Sequence, residues 1–335
     1  MSDMYSKAYA SIPADMQRAV DNFDRDALQI VGQFQSELEK CYVPPDIYHY
    51  TTDIGLRGIL ESGQLWLTDA FSLNDPSELR HGFGLATDVL DEKAKNGPDE
   101  YRLFADNFKE ALNDSEGIER SAHYFVCSFS KCGDDLGQWR AYADNGCGYA
   151  LGFNTEPLEK TFCAHARRKT LNGTLISDGG TFPVSYDDCR LSKIHGEIIE
   201  KVLPLTSLPH DRNLSRAALR VFWAQLLTKC AVHLLHASVY FKHKAYINED
   251  EYRFLEMYRA DVAPVVKFRA RNYQRIKYLE FDWKSAGPDV LKEIIIGPAA
   301  DFEKSKRFAK DCLREAGIDP ANVTVTQSQI PYKPT

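Results

Sequence analysis

The stretch Tyr124-Phe125-Val126-Cys127-Ser128-Phe129-Ser130 has the composition of a buried strand, and it decides the fold. A short helical segment, Gln138-Trp139-Arg140-Ala141-Tyr142, follows it, and a second strand, Tyr149-Ala150-Leu151-Gly152-Phe153, comes after the turn signal Asn145-Gly146. Helical segments and further short strands occupy the rest of the chain, without repeats or a clear interdomain linker. The sequence therefore predicts an α+β fold.

Two helical regions flank this strand-rich part. We predict a helical N-terminal extension at residues 1–44, then a single α+β domain at 45–330 that carries a helical insertion at about 187–240. The stretch 170–182, rich in Gly, Thr and Ser, is expected to be a mobile loop or a hairpin end. Helices are predicted at about 15–40, 53–61, 78–94, 99–112, 187–203, 214–240 and 301–316, and further strands at about 47–51, 65–67, 252–257, 265–270, 276–281, 293–296 and 323–326.

The composition is that of a globular protein. The 335 residues are 44% hydrophobic and 12% aromatic, which is enough for a core. The formal charge of −7 argues against broad non-specific nucleic-acid binding but leaves a local basic patch open. None of the eight cysteines lies in a Cys-x-x-Cys motif, and the chain starts without an apolar signal core. We therefore expect a cytoplasmic protein with free thiols and no membrane partner, since no apolar run reaches the roughly 18 residues that cross a bilayer.

Two motifs far apart in the chain carry the residue types of a reaction centre. The first is Tyr48-His49-Tyr50-Thr51-Thr52, and the second is Asn248-Glu249-Asp250-Glu251-Tyr252-Arg253. Side chains at i and i+2 of a strand project to the same side, so a strand-like second motif would point Glu249 and Glu251 at one ligand. We therefore predict that His49 and Glu251 lie across one cleft.

The order of the motifs resembles that of ADP-ribosyltransferase folds. The strand with His49 and the following Gly55-Leu56-Arg57-Gly58-Ile59-Leu60-Glu61-Ser62-Gly63 are similar to a His-x-Ser/Thr strand end and a helix closing in Ile-Leu-x-x-Gly. Cys127-Ser128-Phe129-Ser130 looks like the central Ser-x-Ser strand of that fold, and Glu249-Asp250-Glu251 looks like its late Glu-x-Glu. The resemblance implies an ADP-ribosyltransferase-like split β-sheet core.

A closer resemblance is to a bacterial family described only as a domain of unknown function, DUF2971. It rests on Ser72-Leu73-Asn74-Asp75-Pro76-Ser77-Glu78, on the spacing of Trp139 and Tyr142, and on Glu249-x-Glu251-x-Arg253. These motifs place the resemblance over roughly residues 45 to 300.

The motif order implies an enzyme that cleaves NAD and transfers ADP-ribose to an unidentified acceptor, or to water, in the role of a toxin or defence effector. Cleaving the bond between nicotinamide and ribose forms an oxocarbenium-like centre, which carboxylates stabilise in glycoside cleavage. By the resemblance, Glu251 holds the ribose 2′-hydroxyl and stabilises the cation, and Glu249 receives a proton from the acceptor. The residues implied to contact NAD are His49, Tyr50, Thr51, Ser128, Ser130, Trp139 and Tyr142. The acceptor stays open between protein, nucleic acid and small molecule.

The same residues also fit functions without NAD turnover. A non-catalytic nucleotide-sensing or partner-binding module could keep the fold, and a hydrolase or phosphotransferase could use the same split sheet. Glu251 and Arg253, at i and i+2, could form an ion pair on one strand face. Trp139 and Tyr142, at helical spacing, could pack in a core.

Two further clusters contain residue types that bind metal ions or phosphates. His233, His236 and His243 lack the remaining ligands of a zinc site, so no metal is predicted. The only dense basic stretch contains Lys267, Arg269, Arg271, Arg275 and Lys277. It either meets a phosphate-rich ligand or protects an exposed sheet edge from aggregation by its charge.

Overall fold

The computed structural model describes residues 9–10, 12–73, 77–113, 123–169, 175–210, 212–258, 262, 264–271 and 273–332. These residues divide into two compact units that are discontinuous in sequence. Unit 1 draws on Met1–Lys40, Asn74–Ala122 and Ser185–Lys244, and unit 2 draws on Cys41–Leu73, His123–Val184 and Ala245–Thr335. Unit 1 is helical, and unit 2 holds all the strands of the described residues.

The helices in chain order are α1 (Ala14–Leu38), α2 (Asp53–Ser62), α3 (Ser77–Lys95), α4 (Asp99–Asn113), α5 (Leu136–Tyr142), α6 (Thr155–Ala166), α7 (Asp188–Val202), α8 (Arg216–Ser238) and α9 (Phe302–Glu315). The strands are β1 (Asp46–Thr51), β2 (Gln64–Asp69), β3 (His123–Ser130), β4 (Tyr149–Asn154), β5 (Arg168–Lys169), β6 (Leu175–Pro183), β7 (Glu251–Tyr258), β8 (Lys267–Arg271), β9 (Gln274–Asp282), β10 (Leu291–Ile296) and β11 (Thr324–Gln327). The predicted helices are all present, and so are the predicted strands apart from the segment around Glu249.

Unit 1 is held together by the apolar faces of its helices. In α1 the buried residues are Met16, Val20, Phe23, Ala27, Val31, Phe34 and Leu38, which recur every three or four positions and form one face. Helix α1 packs against α7 and α8. Asp24 of α1 also accepts hydrogen bonds from Lys229 Nζ and His233 Nε2 of α8, each at 2.7 Å. The predicted N-terminal extension and the predicted insertion thus belong to the same unit.

The sheet of unit 2 branches at β3. On one edge β3 pairs with β7 along its whole length, and β6 and then β5 continue the sheet beyond β7. On the other edge Ser130 pairs with Tyr48 of β1, whereas Phe125 and Val126 pair with β2. Beyond β1 lie β4, β10 and β11, and beyond β2 lie β9 and β8. The sheet is therefore split between β1 and β2.

The architecture is mixed in two respects. Helices and strands both contribute to it, and the sheet combines antiparallel pairs with one parallel pair, β10 and β11. The main core of unit 2 lies on one face of the sheet and includes Ile47, Leu60, Leu151, Phe162, Phe254 and Leu313, from β1, α2, β4, α6, β7 and α9. Full burial of such a side chain contributes about 1.5–3 kcal/mol. A smaller cluster of Tyr50, Trp139, Ala143, Ala150 and Ile295 packs on the opposite face.

The structure decides one local alternative and adds one helix. Of the two alternatives for 170–182, the hairpin end is supported, because β5 pairs antiparallel with β6, which residues 175–183 form, while 170–174 lie outside the described residues. A Cβ at Gly179 would lie 2.3 Å from the carbonyl oxygen of Leu255, so this glycine permits close strand packing rather than a loop. Helix α6 is absent from the prediction, although its buried Leu158, Phe162 and Ala166 recur at helical spacing. The predicted turn 74–76 lies outside the described residues.

Candidate functional site

The candidate site is built around Glu251, the first residue of β7. Glu251 pairs with Ser130 of β3, and Arg253 pairs with Ser128, so these four side chains lie on one face of the sheet. The Ser-x-Ser and Glu-x-Glu motifs, far apart in the sequence, are therefore brought together by strand pairing.

The Glu251 carboxylate is buried, and Ser128 and Arg253 both donate hydrogen bonds to it. The Ser128 hydroxyl donates to Oε1 at 2.5 Å, while Arg253 donates from Nε to Oε1 at 2.9 Å and from Nη2 to Oε2 at 3.0 Å. Glu251 and Arg253 are each 3% exposed. A buried charge is costly unless it is paired and hydrogen-bonded, so Arg253 offsets the charge of Glu251 here. The ion-pair alternative for these two residues is confirmed.

Glu249 does not lie on the strand. It ends a 3-10 helix, Lys244–Glu249, and the following Asp250 has a φ of 41°. This left-handed conformation interrupts the alternation of side chains that a strand would impose. The prediction that Glu249 and Glu251 project from one strand face is wrong for this reason.

Glu249 nevertheless contacts the Ser-x-Ser strand that also binds Glu251. Tyr142 of α5 donates to Glu249 Oε1 at 3.0 Å, and the Ser130 hydroxyl donates to the Glu249 carbonyl oxygen at 2.9 Å. Glu249 is partly exposed, whereas Glu251 is buried. The two carboxylates therefore share the Ser-x-Ser strand but differ in their access to solvent.

Two cations balance the three consecutive acidic residues of this motif. Arg253 binds Glu251, and Lys131 Nζ lies 2.5 Å from Asp250 Oδ1. The Lys131 amide also donates to the Asp250 carbonyl oxygen at 3.0 Å, which fixes the turn. Lys131 is absent from the predicted site, although its position directly after the Ser-x-Ser motif was the available signal.

His49 lies on the opposite face of the sheet from Glu251. Tyr48 pairs with Ser130, and Ser130 pairs with Glu251, so these three side chains share a face. The side chain of His49, one residue further along β1, projects to the other face. The prediction that His49 and Glu251 lie across one cleft is therefore wrong.

His49 is instead located at the split between β1 and β2. Its Nδ1 lies 3.1 Å from the carbonyl oxygen of Ser128, and its ring centroid lies 5.7 Å from that of Phe129, a core residue. No described strand pairs with residues 127–129 on this edge of β3, so the imidazole supplies a hydrogen-bond donor in its place. Burial lowers the pKa of His49 below 6.5, and the charge of Arg269 lowers it further. The ring is therefore neutral at neutral pH, with Nδ1–H donating.

Tyr50 and Trp139 are core residues. Trp139 is fully buried, its ring lies edge-on to that of Tyr50 at 4.8 Å, and its Nε1 donates to Asp134 at 2.7 Å. The Tyr50 hydroxyl donates to the Cys132 carbonyl oxygen at 2.9 Å. This confirms the core-packing alternative for Trp139. Thr51, at the end of β1, shares the face of His49 rather than that of Glu251.

Other reactive groups are not assembled into a site. Burial raises the pKa of the Cys127 thiol to about 12, so it is not a thiolate nucleophile at neutral pH. Within the described ranges, no group of three or more His, Cys, Asp or Glu side chains could hold a metal ion. Over the same ranges, no helix has the length and apolar character needed to span a membrane.

Residues 138–254 match the model of a family described as a protein of unknown function (DUF2971). The matched segment contains Trp139, Tyr142 and residues 249–253, so the predicted resemblance to this family is confirmed over that segment. The motif at residues 72–78 lies outside it. No curated protein and no solved structure matches the chain.

Proposed function

We propose that the protein cleaves NAD at the Glu251 site and passes ADP-ribose to an acceptor or to water, using an ADP-ribosyltransferase-like split sheet. The observation that supports this most directly is the 2.5 Å hydrogen bond from Ser128 to Glu251, which joins the Ser-x-Ser strand to the late Glu-x-Glu motif. Electrostatic catalysis requires a charge that is already oriented before the reaction, and this bond orients the carboxylate.

Glu251 supplies the negative charge in this mechanism. When the bond between nicotinamide and ribose breaks, its electron pair leaves with nicotinamide and positive charge develops on the ribose. A carboxylate in surroundings of low dielectric constant stabilises such a charge more strongly than one in water. NAD is bound as a substrate and is consumed.

Glu249 is the proposed base for the acceptor. A general base must come within hydrogen-bond reach of the proton that it removes, and Glu249 is partly exposed whereas Glu251 is buried. The Tyr142 hydroxyl holds one of its carboxylate oxygens. His49 has no part in this centre, because its side chain projects from the other face of the sheet.

The second candidate function is a nucleotide-sensing or partner-binding module without turnover. It is favoured by the two-point contact of Arg253 with Glu251. A guanidinium bound to both carboxylate oxygens competes with a substrate cation for the same charge. On this alternative the cluster binds its partner or stabilises the sheet without reacting.

Incubation of the purified protein with NAD separates the two candidates. Release of nicotinamide, measured by chromatography, supports cleavage. A rise in melting temperature on adding NAD, without nicotinamide release, supports binding alone. If NAD causes neither nicotinamide release nor a rise in melting temperature, the protein neither cleaves nor binds NAD, and both candidates are rejected as far as NAD is concerned. A mass-spectrometric search for ADP-ribose adducts in expressing cells identifies the acceptor when cleavage is found.

A further inference from the structure

The β8–β9 hairpin concentrates positive charge on an acidic protein. Residues 267–277 contain five basic and no acidic residues, although the whole chain carries a formal charge of −7. Strand β8 is the last strand at its end of the sheet and pairs only with β9 among the described strands. A local positive surface of this kind complements a polyanion.

Three of the five cations are available to a partner. Lys267 is bound to Glu280 at 2.6 Å, and Arg269 donates to a threonine of β2 at 3.1 Å. By contrast, the side chains of Arg271, Arg275 and Lys277 form no ion pair or hydrogen bond with any residue that the structure describes. Their charges are therefore not already compensated within the hairpin.

Two aromatic rings are exposed beside these cations. Phe268 is 46% exposed, and Tyr273 is fully exposed. Strand pairing places Phe268 opposite Lys277, and the Arg275 guanidinium lies 4.2 Å from the Phe268 ring centroid. Charge alone would protect an edge strand from aggregation, but exposed rings work against that protection. Edge protection therefore does not account for this surface.

Tyr273 lies in the tight turn between β8 and β9 and presents its ring to solvent. Its φ is 65°, in the left-handed region that glycine and asparagine adopt more readily than a bulky aromatic residue. The register pairs Arg271 with Gln274, and a two-residue hairpin turn of this kind uses a positive φ at its second central residue. The hairpin tip therefore carries an aromatic ring where glycine or asparagine is usual, and that ring is open to a partner.

We propose that the surface formed by Phe268, Tyr273, Arg275 and Lys277 binds single-stranded nucleic acid. Bases stack on the two exposed rings, and the cations contact the phosphates of the strand. A duplex is a poorer fit, because its bases are already stacked on one another and cannot lie on the rings. The inference does not depend on NAD cleavage and holds for either candidate function.

Fluorescence anisotropy with labelled oligothymidine, on the full chain, tests this proposal. Phe268→Thr removes one ring and keeps a strand-forming residue, and Tyr273→Asn removes the other and keeps a residue suited to the left-handed backbone. Each should weaken binding roughly tenfold, the usual order for loss of one base–ring stack. Arg275→Ala should reduce the slope of log affinity against log salt concentration by about 0.7, the value for one phosphate contact on a single strand.

Lys306→Ala is the matched control. Lys306 lies 4.9 Å from the ring of Phe302 in α9, the same type of cation–ring contact as that of Arg275, but α9 packs on β10 and β11 at the other end of the sheet. This variant should bind like the wild type.

The expected result is tighter binding of oligothymidine than of a duplex of equal length, with the losses confined to the hairpin variants. Equal binding of the duplex, or affinity that does not change in Tyr273→Asn, overturns the proposal. Preferential binding of polyglutamate also overturns it, since that would indicate an acidic protein as the partner. Circular dichroism of each variant checks that it is folded, and Tyr273→Asn, in an exposed turn, tests the idea even where Phe268→Thr is unstable.

Discussion

Arg253 contacts both carboxylate oxygens of Glu251, at 2.9 Å from Nε and 3.0 Å from Nη2. The contact has two opposing consequences for function. It fixes the position of the carboxylate, which favours catalysis, and it offsets the carboxylate's charge, which weakens stabilisation of a substrate cation. Variants of the residues around this pair separate the two effects.

Replacing Glu251 with Gln keeps the size of the side chain and removes its charge. If the carboxylate stabilises the oxocarbenium centre, nicotinamide release should fall by about two to three orders of magnitude, as is typical when one preorganised electrostatic group is lost. Glu293→Gln is the matched control, because Glu293 also accepts a hydroxyl hydrogen bond, from Tyr48 at 2.9 Å, but lies on β10 outside the site. Equal losses in both variants would contradict the role of Glu251.

Glu249→Gln should affect transfer and hydrolysis differently. A general base contributes roughly 10²–10⁴-fold only where a proton must be removed, so transfer to the acceptor should fall while hydrolysis of NAD persists. Tyr142→Phe removes the hydroxyl that donates to Glu249 at 3.0 Å and should cause a smaller loss of the same kind. If Glu249→Gln abolishes NAD cleavage and Glu251→Gln spares it, the two roles are reversed.

Arg253→Met should destabilise the protein by about 3–5 kcal/mol, because it removes the guanidinium partner of a buried carboxylate. The double variant Glu251→Gln, Arg253→Met should recover much of this loss, since no buried carboxylate is then left without that partner. Urea unfolding of the wild type, both single variants and the double variant measures the coupling between the two residues. Simply additive losses would show that the ion pair is not what stabilises this part of the sheet.

Apart from β5 and β6, the individual strands are predictable from the sequence, but their register is not. The alternation at residues 47–51 and the composition of residues 124–130 are local information, and they predict β1 and β3 correctly. Which of Tyr48 and His49 shares a face with Glu251 depends on the pairing of β1 with β3. A shift by one residue in that pairing exchanges the two faces, and long-range packing decides it.

The position of Glu249 depended on a single backbone angle. Asp250 takes a φ of 41°, which an aspartate tolerates better than most residues but which no neighbouring residue type requires. The sequence therefore identifies the acidic motif and its neighbour Arg253. It does not show that Glu249 lies before the start of the strand rather than within it. The hydrogen bond from Ser128 to Glu251 was within reach of prediction, because it follows from placing the two motifs on adjacent strands.

His49→Ala should lower stability without changing NAD affinity. The variant removes the donor to the Ser128 carbonyl oxygen at the split of the sheet, and leaving a polar group there without a partner costs about 1–3 kcal/mol. Thr324→Ala, at an exposed position of β11, is the control for a general disturbance of the sheet. Melting temperature and NAD titration are the measurements. A marked loss of NAD affinity in His49→Ala alone would return His49 to the binding site.

The stability of the protein should decrease as the pH falls from about 6.5 towards 4, because two histidines of unit 1 have lowered pKa values. Burial lowers the pKa of His195 to about 4 and that of His236 to about 3, from a usual value of 6.5. Both rings are therefore neutral in the folded protein and take up protons on unfolding below pH 6.5, so their contribution to stability is fully present above that pH and is lost below it. Each histidine should lower the free energy of unfolding by about 1.4 kcal/mol per pH unit in this range.

Urea unfolding at a series of pH values measures how the free energy of unfolding changes with pH. The variant His195→Gln tests whether His195 contributes to this change. The His195 Nε2 donates to the Leu234 carbonyl oxygen at 3.2 Å, and its Nδ1 is buried without a hydrogen-bond partner among the described residues. Gln can supply the same hydrogen-bond donor but does not titrate. The pH dependence of the free energy of unfolding should therefore become less steep by the contribution of one histidine. His210→Gln, at a histidine whose side chain is 70% exposed, is the control for the substitution itself. Stability that stays constant or rises as the pH falls would contradict the assignment of neutral buried rings.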